Sequence, residues 1–244
     1  VRPLAASRSL DRWGWYAGYN LEVDRLEELK ARDPDPDFER QSFFIASFPL
    51  GISYDTRDSQ LNPTRGFAVN LEVEASLSML GSDLEYLRPT LGYSQVIPLP
   101  GWENWYWAFR AKAGVVTSLI DDQRIPLVRR FFAGGADSVR GYPYQKLGPL
   151  DGSGHPLGGE AMVEGGAELR FPLWKDLGGV VFLDAGNVYE NLDAELSLRF
   201  TTGLGLRYQT PVGPIRVDLG WQLNPPSGDQ IDRYAAYLSV GQAF

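Results

Sequence analysis

The sequence predicts an all-β fold, an antiparallel transmembrane β-barrel of about ten strands. Three observations carry that expectation. Apolar and polar residues alternate one by one over about ten segments, many of them 10 to 13 residues long. Strands of water-soluble domains run about 5–6 residues, whereas a tilted bilayer crossing takes about 9–11. The polar sides of these segments hold Gly, Ser, Thr and charges of both signs, a mixture suited to a wet, crowded interior. Aromatic residues gather near segment ends on the apolar side: Trp13, Trp15, Tyr54, Phe67, Trp105, Trp107, Phe171, Tyr208, Trp221 and Phe244. Interfacial girdles of membrane barrels have this placement.

In chain order, the alternating segments are Trp13–Val23, Phe43–Tyr54, Phe67–Leu77, Tyr86–Ile97 and Trp105–Val115, then Ala161–Phe171, Val180–Val188, Leu196–Tyr208, Ile215–Leu223 and Tyr234–Phe244. Phe67–Leu77 is the clearest. Its odd positions are Phe67, Val69, Leu71, Val73, Ala75 and Leu77, and its even positions include Asn70, Glu72, Glu74 and Ser76. A strand sorts such residues onto two faces, whereas a helix scatters them. Parity puts Glu164, Gly166, Glu168 and Arg170 on one polar face, and Arg199, Thr201, Gly203, Gly205 and Arg207 on another. A soluble β-sandwich alternates as well, and is the competing expectation. It requires the apolar faces to be buried against each other.

The connections fall into two sets. Asp58–Gly66, Pro98–Asn104, Pro172–Gly178 and Thr210–Pro214 are tight and rich in turn residues. Arg25–Phe38, Ile120–Gly159, Tyr189–Glu195 and Asn224–Asp232 are longer and polar, and Leu80–Asp83 is a short exception. A helical turn over Leu26–Lys30 is stopped by Pro34 and Pro36. With Phe244 on the periplasmic side, the tight turns share that side and Ile120–Gly159 lies outside. No linker divides the chain, so residues 1–244 read as one domain.

Composition narrows function. The 244 residues carry a net charge of −8 and no cysteine, so there is no disulfide framework and no thiolate metal site. One histidine, His155, rules out a multi-histidine centre. The acidic balance argues against a nucleic-acid partner. No apolar run approaches the ~18 residues of a membrane helix, and Val1–Leu10 lacks the apolar core of a signal peptide. Hydrolase and phosphate-binding motifs are absent. Gly203-Leu204-Gly205 lacks the third glycine of a dinucleotide fingerprint, and Pro63 bars Asn62 from glycosylation. Glu164 and Glu168 share a face without a paired nucleophile. The chain reads as a non-enzyme without cofactor.

The 40-residue connection Ile120–Gly159 is too long for a plain link and contains Phe132-Ala133-Gly134-Gly135-Ala136-Asp137-Ser138-Val139-Arg140-Gly141-Tyr142. This stretch resembles the signature loop of the BamA/TamA superfamily of outer-membrane assembly proteins (the bacterial surface antigen domain). Further resemblances follow in order: Tyr54–Asp58 with Asn62–Gly66, Gly158-Gly159, Glu168–Phe171, Phe182–Val188 and Thr210–Asp218. The resemblance implies that the loop folds into the lumen, with Val139, Arg140, Gly141 and Tyr142 at its tip and Arg140 paired with wall carboxylates at Glu168 and Asp184. A charge inside a narrow lumen needs such a partner. The plainer alternative is a solvated Arg140, with Glu168 paired to Arg110 or Arg170.

The resemblance also implies a terminal-strand signal in Tyr234, Leu238, Val240, Gly241 and Phe244, which Gln242 interrupts. That strand would form one side of a weak seam offered to a client strand. Family barrels have sixteen strands, and the ten expected here correspond to the last ten. The implied setting is the bacterial outer membrane. Its lipids and client β-barrel proteins are the partners, with periplasmic or inner-membrane assembly partners reached through an N-terminal region outside this sequence. The implied activity is folding and insertion of client barrels, and the alternative is a passive pore or secretion barrel of the same superfamily.

Overall fold

A computed structural model describes residues 4–10, 12–25, 42–121, 123–210, 213–225 and 232–241. The expected helical turn Leu26–Lys30, most of the connections at 25–38 and 224–232, and the positions of Gln242 and Phe244 lie outside the described residues. The strands are β1 (Leu4–Leu10), β2 (Trp13–Arg25), β3 (Ser42–Asp55), β4 (Gly66–Ser76), β5 (Tyr86–Pro98), β6 (Tyr106–Val115), β7 (Thr117–Ser118), β8 (Ala161–Trp174), β9 (Leu177–Tyr189), β10 (Arg199–Tyr208), β11 (Ile215–Gln222) and β12 (Tyr234–Val240). All pairings are antiparallel.

Each strand pairs with its neighbour in sequence, except that the two-residue β7 pairs with β5, so that β6 and β8 are adjacent. Among the described residues β1 pairs only with β2 and β12 only with β11, which leaves two sheet edges. Ten long strands were expected and eleven are present among the described residues. The additional one is β1, whose sequence LAASRSL has no strict alternation. Backbone pairing to β2, from Leu4↔Tyr19 to Leu10↔Trp13, defines it. The β8–β9 connection is also tighter than Pro172–Gly178. The ladder runs on to Trp174↔Leu177, past a register shift after Pro172. Lys175 there adopts a left-handed φ of 48°.

Side-chain exposure decides between sandwich and membrane barrel. Leu204 and Leu206 of β10 are 58% and 48% exposed, while Arg207 beside them is 2% exposed. On β9, Val181 and Leu183 are exposed while Phe182 and Asp184 are buried. On β11, Ile215, Val217 and Trp221 are exposed while Arg216 and Asp218 are buried. A soluble sandwich has the opposite order. A sheet with its apolar face outward belongs in hydrocarbon, where strand pairing satisfies the backbone. Aromatic rings line that outer face across four strands, from Trp13 to Tyr54 to Phe67 to Tyr93, with centroids 4.7, 5.7 and 6.5 Å apart.

The inner face is covered at one end by the connection between β7 and β8. A small apolar core forms there from Ile45, Tyr86, Val116, Ile125, Phe131, Val139, Tyr142, Leu147, Met162 and Val188. At the opposite end the β3–β4 turn reaches across the inner face. Asn62 Nδ2 donates to Gln209 Oε1 just past β10 at 3.2 Å. A cavity of about 300 Å³ lies between this turn and the ends of β8, β9 and β10.

Candidate functional site

Strand parity supplies the wall of the site. Glu168 and Arg170 stand two apart on β8, Phe182 and Asp184 on β9, and Arg216 and Asp218 on β11, and β10 adds Arg207. All of these side chains are buried on the inner face. Space for them comes from glycines on the partner strands. Gly166 faces Asp184 and Gly205 faces Asp218. A Cβ at Gly166 would lie 2.3 Å from Asp184 Oδ1, and one at Gly205 would lie 2.0 Å from Asp218 Oδ1.

The loop delivers Arg140 into this wall. A bridge between Phe131 and Gly159 closes its base and another joins Ala133 to Leu147. The Gly135 amide donates to the Tyr142 carbonyl at 3.0 Å, so residues 135–142 form a tight excursion. Gly141 at its tip has φ +103°, and a Cβ there would meet Thr201 Cγ2 at 3.1 Å. Only glycine combines that backbone with that approach. Val139 and Tyr142, on either side, are buried in the apolar core. Farther along the loop, Asp151 accepts from the amides of His155 and Ser153, and these bonds hold its carboxyl below the usual range.

Arg140 meets three carboxylates. Its Nε donates to Asp184 Oδ2 at 2.7 Å and its Nη2 to Asp184 Oδ1 at 2.9 Å. Its Nη1 donates to Glu168 Oε1 at 2.5 Å and lies 3.6 Å from Asp218 Oδ2. The guanidinium carbon sits 3.5 Å from the centroid of the Phe182 ring, a cation–π stack. Wall arginines share the same acids. Arg170 Nε is 2.9 Å from Glu168 Oε2, Arg207 Nη1 is 2.6 Å from Asp218 Oδ1, and Arg110 Nη2 is 3.7 Å from Asp184 Oδ2. Each buried carboxylate therefore faces at least two guanidiniums, which offsets the large cost of removing it from water. Arg140 is buried and not solvated as the plainer alternative had it, although the Glu168–Arg170 pair of that alternative is also present.

More groups fasten the loop than the sequence reading named. Arg110 donates to the carbonyls of Asp137 and Ser138. Arg216 bonds the Asp137 carboxylate and the Ala136 carbonyl. Gln222 Nε2 donates to the Gly141 carbonyl at 2.8 Å, and Ser138 donates to Glu164. Tyr237 of β12 accepts from the Gly141 amide at 3.2 Å and donates to the Tyr142 carbonyl at 2.5 Å. The period-2 pattern could have put Asp218, Arg216 and Gln222 on the inner face. It carries no sign that they converge on the loop.

At the terminal strand, Tyr234, Leu238 and Val240 are exposed on the outer face. Gly241 is buried with φ +92°, and its amide donates to the Pro214 carbonyl at 2.8 Å. Beside them lies the edge of β12 that has no partner strand among the described residues.

Comparison with known proteins follows the same outline. The Omp85 superfamily domain matches residues 4–244. An outer membrane protein assembly factor BamA of Nitratidesulfovibrio vulgaris is 28% identical over 248 residues, covering 95% of this chain and 29% of the relative. A SAM50-like protein of Schizosaccharomyces pombe is 30% identical over 196 residues, covering 72% of this chain and 40% of that protein. The crystal structure of BamA from Haemophilus ducreyi lacking POTRA domains 1–3 superposes with a TM-score of 0.81 at 21% identity, over 95% of this chain and 52% of that one. The chain thus spans about half of the solved barrel protein and under a third of the bacterial relative. The chain belongs to the Omp85 superfamily, and its sheet is a β-barrel sheet of the bacterial outer membrane.

Proposed function

We propose that this chain is the barrel portion of an outer-membrane assembly factor, which promotes folding and insertion of client β-barrel proteins without covalent chemistry. The observation that carries this reading is the edge strand β12, which among the described residues pairs only with β11, beside an inner face occupied by a fastened loop. An edge strand presents a row of unpaired N–H and C=O groups, a template for an incoming strand. Addition to such an edge is an established recognition mode. Tyr234, Leu238, Val240 and Gly241 then form one side of the seam, and Phe244, also expected there from sequence, lies outside the described residues. Val139, Arg140, Gly141 and Tyr142 hold the loop against Glu168 and Asp184, and so hold the shape of the sheet while its edge is open. Outer-membrane lipids and client barrels are the partners, and periplasmic or inner-membrane assembly partners attach through parts of the protein outside this chain.

The passive-pore reading is the weaker one. The loop fills the inner face at one end, and the β3–β4 turn crosses it at the other. The test is reconstitution of the full-length protein in lipid vesicles with an unfolded client barrel. Faster client folding than in protein-free vesicles is expected, with little steady conductance across a planar bilayer. Large steady currents with no effect on client folding would overturn the proposal.

A further inference from the structure

We propose that Tyr237 is a latch that couples the loop to the terminal strand, so that β12 peels from β11 only as the loop turn at Gly141 lets go. This rests on the assembly reading above and adds its regulation. β12 is held to β11 by seven residue pairs and has no second neighbour among the described residues. Its inner face presents Ala235, Tyr237 and Ser239. Ala235 has no polar group. Ser239 accepts from Arg216 Nε and reaches the loop only through that second side chain, which bonds Ala136 and Asp137. Tyr237 alone of the three bonds the loop, and does so with both functions of its hydroxyl. The oxygen accepts from the Gly141 amide at 3.2 Å while the proton goes to the Tyr142 carbonyl at 2.5 Å. The left-handed backbone at Gly141 turns these two groups toward the same hydroxyl.

The loop end of the latch is rigid, because the adjacent Arg140 is clamped to β8 and β9 through Glu168 and Asp184. The strand end is the edge at which a client strand would add. Moving β12 therefore breaks two hydrogen bonds to the loop besides the ladder. Moving the loop removes the only direct side-chain tie that holds the inner face of β12 to it among the described residues. Tyr237 is thus a positioning residue acting through the loop.

The decisive variant is Tyr237→Phe, which deletes the hydroxyl and keeps the ring. In the full-length protein in lipid vesicles, hydrogen exchange of the β12 amides is expected to rise about tenfold, the effect of losing one or two neutral hydrogen bonds. Exchange in β8 and β9 should stay unchanged. Arg140→Ala should raise β12 exchange in the wild-type background and add little in the Tyr237→Phe background, because the coupling has already been cut. β12 exchange within twofold of wild type would overturn the latch. So would loosening of β8 and β9 as well, or effects of the two variants that simply multiply. Client folding by the wild-type protein is scored separately. Its absence refutes the assembly reading, and the exchange measurements still decide the latch.

Discussion

Arg140 straddles the carboxylate of Asp184, with Nε 2.7 Å from one oxygen and Nη2 2.9 Å from the other. This fork joins a loop tip to a strand 44 residues away. Arg140→Ala leaves Asp184 and Glu168 buried with one fewer cation, and removing one partner of a buried pair costs about 3–5 kcal/mol. The expected outcome is rapid cleavage of the loop by added protease and a lower unfolding midpoint. Arg140→Lys should recover little, because an ammonium cannot span both oxygens. Protease resistance equal to wild type would show that the pair does not hold the loop.

Gly220 on β11 is the floor on which the loop tip rests. A Cβ there would lie 2.7 Å from the Gly141 nitrogen and 2.9 Å from the Arg140 carbonyl carbon. Both are backbone atoms, so the loop must move. Gly220→Ala should destabilise by roughly 1–3 kcal/mol as an overpacked contact and loosen the loop with the sheet intact. Gly92→Ala is the control, since its nearest neighbours would be 4.0 Å from the new carbon. Limited proteolysis of the two variants side by side checks the difference.

The outer face of β10 should tolerate no charge. Leu204 is 58% exposed in the isolated chain and faces hydrocarbon in the membrane. Leu204→Arg is expected to cost about 2–4 kcal/mol near the bilayer midplane. Folding titrations in lipid vesicles measure the cost. An equal stability of variant and wild type would contradict the orientation of the sheet.

Acid should loosen the β3–β4 turn. Partial burial pushes the Asp58 carboxyl up, but hydrogen bonds from the Thr64 hydroxyl and amide and the Arg65 amide outweigh it and hold the carboxyl below its usual range. A carboxyl depressed by folding contributes stability that is fully present above its unfolded value, about 3.9. That stability is lost as pH falls through the depressed value. Asp58→Asn should remove this acid transition, as followed by exchange of the Thr64 and Arg65 amides across the acid range.

Much of the molecule was legible in the order of its residues. Period-2 alternation separates Leu204 and Leu206 from Gly205 and Arg207 whatever the rest of the chain does, because successive side chains of a strand point to opposite sides. The inverted faces follow from that local rule, and the pairing of Arg140 with Glu168 and Asp184 was implied by the resemblance of the loop. The strand ends were not legible, since backbone pairing carries β8 on to Trp174, starts β9 at Leu177 and begins β10 only at Arg199. Nor was β1, since its pairing to β2 rather than any side-chain pattern makes it a strand.

The convergence of Asp218, Arg216, Gln222 and Tyr237 on one loop was decided only in three dimensions. Parity tells which side of a strand a residue occupies, but not which residue of a distant segment stands opposite. That depends on register accumulated across β8 to β12 and on the return of a 40-residue connection onto the inner face. Backbone pairing between strands sets the first, and the close contact of Gly141 with Gly220 and Thr201 sets the second. The first leaves no mark in the local sequence, and the second is marked there only by the resemblance of residues 132–142 to a known loop.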